Sequence, residues 1–235
     1  MSSALSRAAR WVATSVRASV FFGFADYLGY PRWASQTRFG RRPPSDGGEP
    51  RAGAVGAIEY SRSSFAHFRP LARVRWPLFL LASIPGQTDG KLLVIGPRFE
   101  SEFYLAWGLG WARRAVTGLD LFGYSPFVTI ADMHRMPFPD EEFKSIVCGW
   151  TISYSHRPDV AAKEMARVLR PGGILVFGVE VVVDDSDADL DIPKGDSRIQ
   201  NRWQFEALLP EFECIACFAP EGDGNLVIAM RKPQA

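Results

Sequence analysis

The sequence predicts an α/β protein built on a doubly wound, mostly parallel sheet, and three observations carry that prediction. Between Lys91 and Glu180, short apolar runs alternate with helix-compatible segments, the pattern of a parallel sheet covered by helices. Two of those runs end on acids, Asp120 and Asp132, and ligands in such sheets sit beyond the carboxyl ends of the strands. The first run is followed by the turn Gly96-Pro97-Arg98, where a strand gives way to a helix.

Along the chain, Pro85-Gly86 to Gly90 reads as a turn, Leu92 to Ile95 as the first strand, and Phe99 to Trp111 as a helix with Glu100 and Glu102 in its first turn, where acids suit the dipole. Val116 to Leu121, Phe127 to Ile130 and Phe143 to Cys148 read as the next three strands. Residues 158–170 predict a helix with Val160, Met165, Val168 and Leu169 inward, ended by Pro171-Gly172-Gly173, and Ile174 to Val179 a fifth strand. The acidic stretch from Asp184 to Asp191 reads as a loop, and Arg198 to Leu209 as a helix. Phe212 to Phe218 and Leu226 to Met230 make two last strands joined by a hairpin-like turn at Gly222-Asp223-Gly224-Asn225.

Upstream of the sheet the sequence changes character. Residues 2–28 place Leu5, Ala8, Ala9, Val12, Val16 and Val20 at helical spacing among Arg7, Arg10 and Arg17, with no acid before Asp26. Three readings stay open: a helix docked on the domain, an interfacial amphipathic helix in peripheral contact with a membrane, and an organelle transit peptide. No run reaches the roughly 18 apolar residues of a transmembrane span. The Gly/Pro/Arg-rich segment near 40–53 reads as a linker. From Ala54 to Ser83 the chain is apolar and aromatic but carries Pro70 and Pro77, which predicts short helices packed on the domain or over its ligand cleft. The domain reading is therefore a helical, basic extension over 1–88 and an α/β domain over 89–235.

Charge separates the same two parts. Residues 1–90 hold 12 Arg, no Lys and 5 acids, a balance of +7, against −6 for the remainder, although the whole chain is only +1. The bland account is that the basic segment lies partly against the acidic domain. The arginines are scattered rather than interleaved with stacking aromatics, which argues against a nucleic-acid surface. The three cysteines make no disulfide framework, so a reducing, cytoplasmic setting is expected, with organelle or membrane-peripheral placement as the alternative the N-terminus allows. Cys214-Ile-Ala-Cys217 has metal-pair spacing, yet it lies in a strand, where positions three apart point to opposite faces; two buried small residues is the reading preferred. His67, His134 and His156 are unclustered, so no metal site is expected.

Two strings in the middle are distinctive: Asp132-Met-His-Arg-Met-Pro-Phe-Pro-Asp-Glu-Glu-Phe143, and Glu164-Met-Ala-Arg-Val-Leu-Arg-Pro-Gly-Gly173. In order and separation they resemble the core of the class I S-adenosylmethionine-dependent methyltransferases, closest to the small-molecule branch called methyltransferase type 11. The resemblance implies a seven-stranded Rossmann-like sheet with an antiparallel C-terminal strand. It also implies S-adenosyl-L-methionine as cofactor and a small-molecule methyl acceptor, a lipid or sugar intermediate being one thought suggested by the apolar, basic N-terminus. A rival from another class is a non-catalytic relative, a binding or scaffold protein whose cofactor loop has decayed.

Carried across by position, the resemblance implies that Asp120 accepts from the ribose hydroxyls and Leu121 lies on the adenine face. Asp132 would accept from the adenine amine with the Met133 amide near a ring nitrogen, while Cys148, Gly149 and Trp150 would line the methionine portion. As residues alone, Asp120 also reads as a turn acid and Asp132 as a cap on the next segment. The first-strand loop departs from the family: Val94 replaces an acid, Gly96 remains, and Arg98 and Glu100 replace glycines that allow close backbone approach. Either Arg98 pairs with the cofactor carboxylate while Glu100 or Glu102 meets its ammonium, or an Arg98–Glu100 or Arg98–Glu102 pair closes the pocket. Pro97 belongs to the same turn. Methyl transfer needs a base only when the acceptor carries a proton, and His156 and His134 are the candidates, with Tyr154 and Trp150 available to shape an acceptor site.

Overall fold

The computed structural model describes residues 72–97, 100–121, 125–180, 201–219 and 225–234. The readings of residues 2–28, of the linker, of Arg98, of the acidic stretch after Glu180 and of most of the Gly222–Asn225 turn fall outside the described residues.

Four α-helices and seven strands are described. They are α1 (Ala72–Ser83), β1 (Leu92–Ile95), α2 (Glu100–Gly108), β2 (Val116–Asp120), β3 (Val128–Ile130), β4 (Phe143–Gly149), α3 (Pro158–Val168), β5 (Leu169–Glu180), α4 (Arg202–Leu208), β6 (Glu213–Phe218) and β7 (Asn225–Arg231). The strands form one seven-stranded sheet in the order β3-β2-β1-β4-β5-β7-β6. Strands β1 to β5 are mutually parallel, and β7 runs antiparallel to both β5 and β6. Chain order reverses between β1 and β4, so the sheet has its switch point there.

Both faces of the sheet are covered, which explains why the strands read as continuous apolar runs rather than alternating ones. Leu93, Ile95, Ile146, Cys148, Leu175 and Phe177 face α3 and α4, where Ala161, Ala162, Met165 and Phe205 meet them. Leu92, Val94, Val147 and Val176 face Val74, Leu78 and Leu81 of α1 and Phe103 and Ala106 of α2. The helix α1, read from sequence within the extension, thus supplies part of the domain's core.

Three details differ from the sequence reading. Pro77 does not interrupt α1 but lies inside it; lacking an N–H, it leaves the carbonyl of Arg73 without its usual helical donor. The helix α3 ends at Val168, where the Leu169 N–H bonds to the Met165 carbonyl, rather than at Pro171-Gly172-Gly173. Those three residues form an irregularity inside β5, in which Gly172 has φ 69° and donates to Lys232 and Pro233, each at 3.1 Å. Third, a β-bulge breaks the two-residue period of β6. Cys214 pairs with Met230 and Cys217 with Ile228, while Ala216 pairs with Ala229. Ile215 and Ala216 pack on the α1 face, Cys214 packs on the opposite one, and Met230 and Ile228 share that opposite face. The extra residue therefore puts Cys214 and Cys217 on one face, not two.

Candidate functional site

The carboxyl ends of β1, β2, β3 and β4 lie along one edge of the sheet, with the switch point between β1 and β4. After β1, Gly96 takes φ 68° and donates its N–H to the Leu119 carbonyl at 2.8 Å, which turns the chain without leaving β2. A Cβ at Gly96 would lie 1.9 Å from Thr151 Oγ1, so the space glycine opens is filled by Thr151 from the β4 loop. The Thr151 hydroxyl bonds to the carbonyls of Gly149 at 3.0 Å and Ile95 at 3.2 Å, stitching the β1 and β4 ends together. Pro97 is buried, its ring close to Gly118 and thus turned toward the Phe103 side of the sheet.

Asp120 ends β2 half-buried, and its carbonyl accepts from Ala131 N–H at 3.0 Å, just past β3. That bond fixes the spacing of the two acids, because Asp120 pairs with Ile130 and Asp132 comes two residues later. Leu121 is half-buried beside Asp120, and Met133 is half-buried against the α3-side core. Glu102 is fully buried in α2, while Glu100 begins that helix.

Asp132 and the two histidines form a connected group. Asp132 Oδ1 accepts from the His134 backbone N–H at 2.8 Å and lies 2.5 Å from His134 Nδ1. His134 Nε2 lies 2.7 Å from Ser155 Oγ, and that hydroxyl oxygen also accepts from Arg157 N–H at 3.1 Å. A carboxylate only accepts, so the neutral ring carries its proton on Nδ1 and Nε2 accepts the Ser155 O–H. The His134 partnership, above all its side-chain hydrogen bond, holds the Asp132 carboxyl below the usual range, against a smaller upward push from burial. The His156 ring lies 4.7 Å from the His134 ring, and His156 is the more exposed of the two. These histidines lie on separate connections in the sequence, and the fold brings them together. Ser155 had no sequence signal, because its contact depends on two loops meeting.

On the far side of the switch point stands Trp150, at φ 56° directly after β4. Its backbone N–H bonds to the Gly178 carbonyl at 2.7 Å and its indole N–H to Asn225 Oδ1 at 3.2 Å, so it leans toward β5 and β7. Arg73 of α1 places its guanidinium over the indole, 5.1 Å from the ring centre. Sequence reasoning passed over Arg73. The available signal was a charge inside the apolar run from Phe65 to Leu81. Cys148 beneath is wholly buried, and burial pushes its thiol up to about 12, so it is a packing residue rather than a nucleophile.

The second distinctive string owes its form to architecture. Arg167 Nε and Nη2 grip the two oxygens of Glu164 at 2.8 and 2.9 Å. The same guanidinium donates to the carbonyls of Met136 at 3.1 Å and Phe138 at 2.9 Å, and to Asp140 at 2.7 Å. Glu164 in turn accepts from Met136 N–H at 2.8 Å. The pair thus clamps the Met-Pro-Phe-Pro turn that comes after the second acid. Among the described residues, no group of three or more His, Cys, Asp or Glu is arranged to hold a metal, and no helix is long and apolar enough to cross a membrane.

Comparison with known proteins agrees with this geometry. Residues 109–177 match the family model described as a methyltransferase domain. A 49-residue stretch is 41% identical to the ubiquinone/menaquinone biosynthesis C-methyltransferase UbiE of Neisseria meningitidis serogroup C, covering 21% of this chain and 20% of that protein. The chain therefore aligns to about a fifth of the length of the curated relatives it matches. Among solved structures, the 1,6-didemethyltoxoflavin-N1-methyltransferase of Burkholderia thailandensis, with bound 1,6-didemethyltoxoflavin and S-adenosylhomocysteine, superposes with a TM-score of 0.57 at 13% identity, covering 82% of this chain and 94% of that one. A Thermotoga maritima S-adenosylmethionine-dependent methyltransferase, described as a possible histamine N-methyltransferase, gives 0.55 at 18% identity, covering 75% and 95%. At these identities the structural likeness speaks for the fold.

Proposed function

We propose that the chain, whose residues 109–177 match a methyltransferase domain and whose sheet is that of S-adenosylmethionine-dependent methyltransferases, transfers a methyl group from S-adenosylmethionine to a small-molecule acceptor. The observation that carries the reading is the pair of acids at adjacent strand ends, Asp120 and Asp132, set in register by the Ala131 N–H bond to Asp120. A strand-end carboxylate at Asp120 suits two ribose hydroxyls. The Asp132 oxygen not used by His134 suits an exocyclic amine. Both are acceptors, as a nucleoside edge rich in donors requires, so the donor and acceptor set of the site fits the cofactor's adenosine half. The C-methyltransferase activity of the Neisseria relative and the S-adenosylhomocysteine in the Burkholderia structure support the same choice.

When bound, S-adenosylmethionine supplies an already activated methyl group on a sulfonium, which leaves alignment of the acceptor as the protein's main task. Trp150, at the end of β4, is available to shape the acceptor site, while Gly149 beneath it is packed against Val74 and the Arg73 backbone of α1. His134 has both ring nitrogens engaged, by Asp132 and by Ser155. His156, more exposed and beside it, is the better placed to take a proton from an oxygen or nitrogen acceptor.

Calorimetric titration of the full chain with S-adenosylmethionine tests the reading. Binding is expected, with Asp120→Ala weakening it at least tenfold. No heat and no thermal shift at millimolar cofactor would sink it and leave the non-catalytic relative, which the Thr151-filled space at Gly96 favours.

A further inference from the structure

Arg73 poses a physical problem that the acids and histidines do not explain. Its residue is only 8% exposed, its Nε is buried with no hydrogen-bond partner, and among the described residues no carboxylate pairs with it. Buried charges in folded proteins are paired or hydrogen-bonded, because an uncompensated one is strongly unfavourable. The face of Trp150 at 5.1 Å offsets part of that loss, but a ring face accepts no hydrogen bond from the Nε–H, which stays unmet.

The position is not an accident of a long side chain. The backbone of Arg73 is seated on the sheet itself: a Cβ at Gly178 would fall 2.1 Å from its carbonyl oxygen, and one at Gly149 would fall 3.0 Å from it. Glycine at both strand positions lets α1 approach this closely. Trp150, on which the guanidinium lies, is fixed by two hydrogen bonds, to Gly178 and to Asn225. Helix, glycines and indole together hold a positive, donor-rich group at the ends of β4 and β5, beside the switch point and two strands away from Asp120.

We propose that Arg73 is an oxyanion anchor, which receives a carboxylate or phosphate group of a ligand lying across Trp150. The inference deepens the methyl-transfer reading and rests on it for the ligand's identity. Two sources offer that chemistry. One is the carboxylate of the cofactor's amino-acid end; the other is an acidic group on the methyl acceptor, which would then be an organic acid or a phosphate ester. A guanidinium suits either, since its planar fork matches both groups bidentately.

The experiment uses the full chain and the variants Arg73→Met and Arg73→Lys. S-adenosylhomocysteine and its decarboxylated analogue are titrated calorimetrically, and the thermal midpoint is followed against inorganic phosphate at constant ionic strength. If Arg73→Met weakens S-adenosylhomocysteine at least tenfold and leaves the decarboxylated analogue unchanged, Arg73 anchors the cofactor carboxylate. If instead both nucleosides bind as before but the phosphate-induced rise in midpoint is lost, it anchors an anionic acceptor. Arg73→Lys should retain part of either effect, and it keeps the charge and stem should the Met variant fold poorly. The proposal is overturned if S-adenosylhomocysteine and phosphate act on Arg73→Met as on the wild type, or if the wild type shows neither carboxylate dependence nor a phosphate response. Absence of nucleoside binding to the wild type would defeat the methyl-transfer reading, while the phosphate arm would still judge Arg73.

Discussion

The carbonyl oxygen of Arg73 occupies the space a side chain at Gly178 would need, 2.1 Å from where its Cβ would be. Pro77, four residues on, has no N–H to claim that carbonyl, so the first turn of α1 is free to press on β5. Gly178→Ala should therefore push α1 off the sheet and part Val74, Leu78 and Leu81 from their core. A loss of about 3 kcal/mol is expected from overpacking a backbone contact. Denaturant unfolding measures it, and an alanine variant as stable as the parent would show that α1 has another seat.

The positions of the strands along the chain and the acids that end β2 and follow β3 were legible in the sequence because both depend on local pattern: apolar runs of strand length, punctuated by turns and acids. What was not legible depends on pairs distant in sequence. Pro77 looked like a breaker because proline is unfavourable in an isolated helix by about 3 kcal/mol, yet here packing against the sheet outweighs that. Pro171-Gly172-Gly173 looked like a helix stop, and only the contacts of Gly172 with Lys232 and Pro233, some 60 residues away, reveal a strand irregularity. Thr151 filling the space over Gly96, and Arg73 over Trp150, belong to the same class of long-range fact.

Arg167 satisfies two carbonyls and two carboxylates at once, a set that a single ammonium cannot span. Arg167→Lys should cost about 2 kcal/mol and Arg167→Ala about 3 kcal/mol, because the turn carbonyls and Glu164 lose donors while partly buried. The Glu164 carboxyl is held below its ordinary 4.5, first by the hydrogen bond from Arg167. A depressed folded value means the stabilisation is fully present above 4.5 and is lost as pH falls through the folded value. Acid unfolding of Glu164→Gln should accordingly lose part of the steepness the parent shows below pH 4.5. Identical acid limbs would refute this assignment.

His134 fixes one oxygen of Asp132 through both its backbone and its ring, and Ser155 fixes the ring from the other side. Removing the ring should leave the carboxylate mobile. His134→Ala is expected to weaken S-adenosylmethionine by about fivefold, the equivalent of one ordinary hydrogen bond of roughly 1 kcal/mol. Ser155→Ala should do the same more weakly while lowering stability, since Arg157 N–H and His134 Nε2 both lose the buried Ser155 hydroxyl as partner in a part-buried place. Calorimetry reads the first effect and denaturant unfolding the second. Unchanged affinity in His134→Ala would show that Asp132 does not need the ring.

The three thiols should separate by reactivity in a way that sequence spacing alone would not foretell. Cys148 is wholly buried at the centre of the sheet and its thiol is pushed up to about 12, so a disulfide exchange reagent at about pH 8 should reach it only after unfolding. Cys217 is exposed, but burial of part of its surface and the neighbouring Cys214 raise its thiol, while Arg202 draws it down by less. It should react, slowly for an exposed thiol, because the reagent needs the thiolate. The bulge in β6 decides whether Cys214 and Cys217 can act as a pair. With both on one face, an agent that binds two thiols, such as a trivalent organoarsenical, should take both and protect both from later alkylation. With the cysteines on opposite faces it would take neither. Mass spectrometry of the native chain after arsenical and then alkylator distinguishes the outcomes, and two alkylated cysteines at 214 and 217 would contradict the bulge.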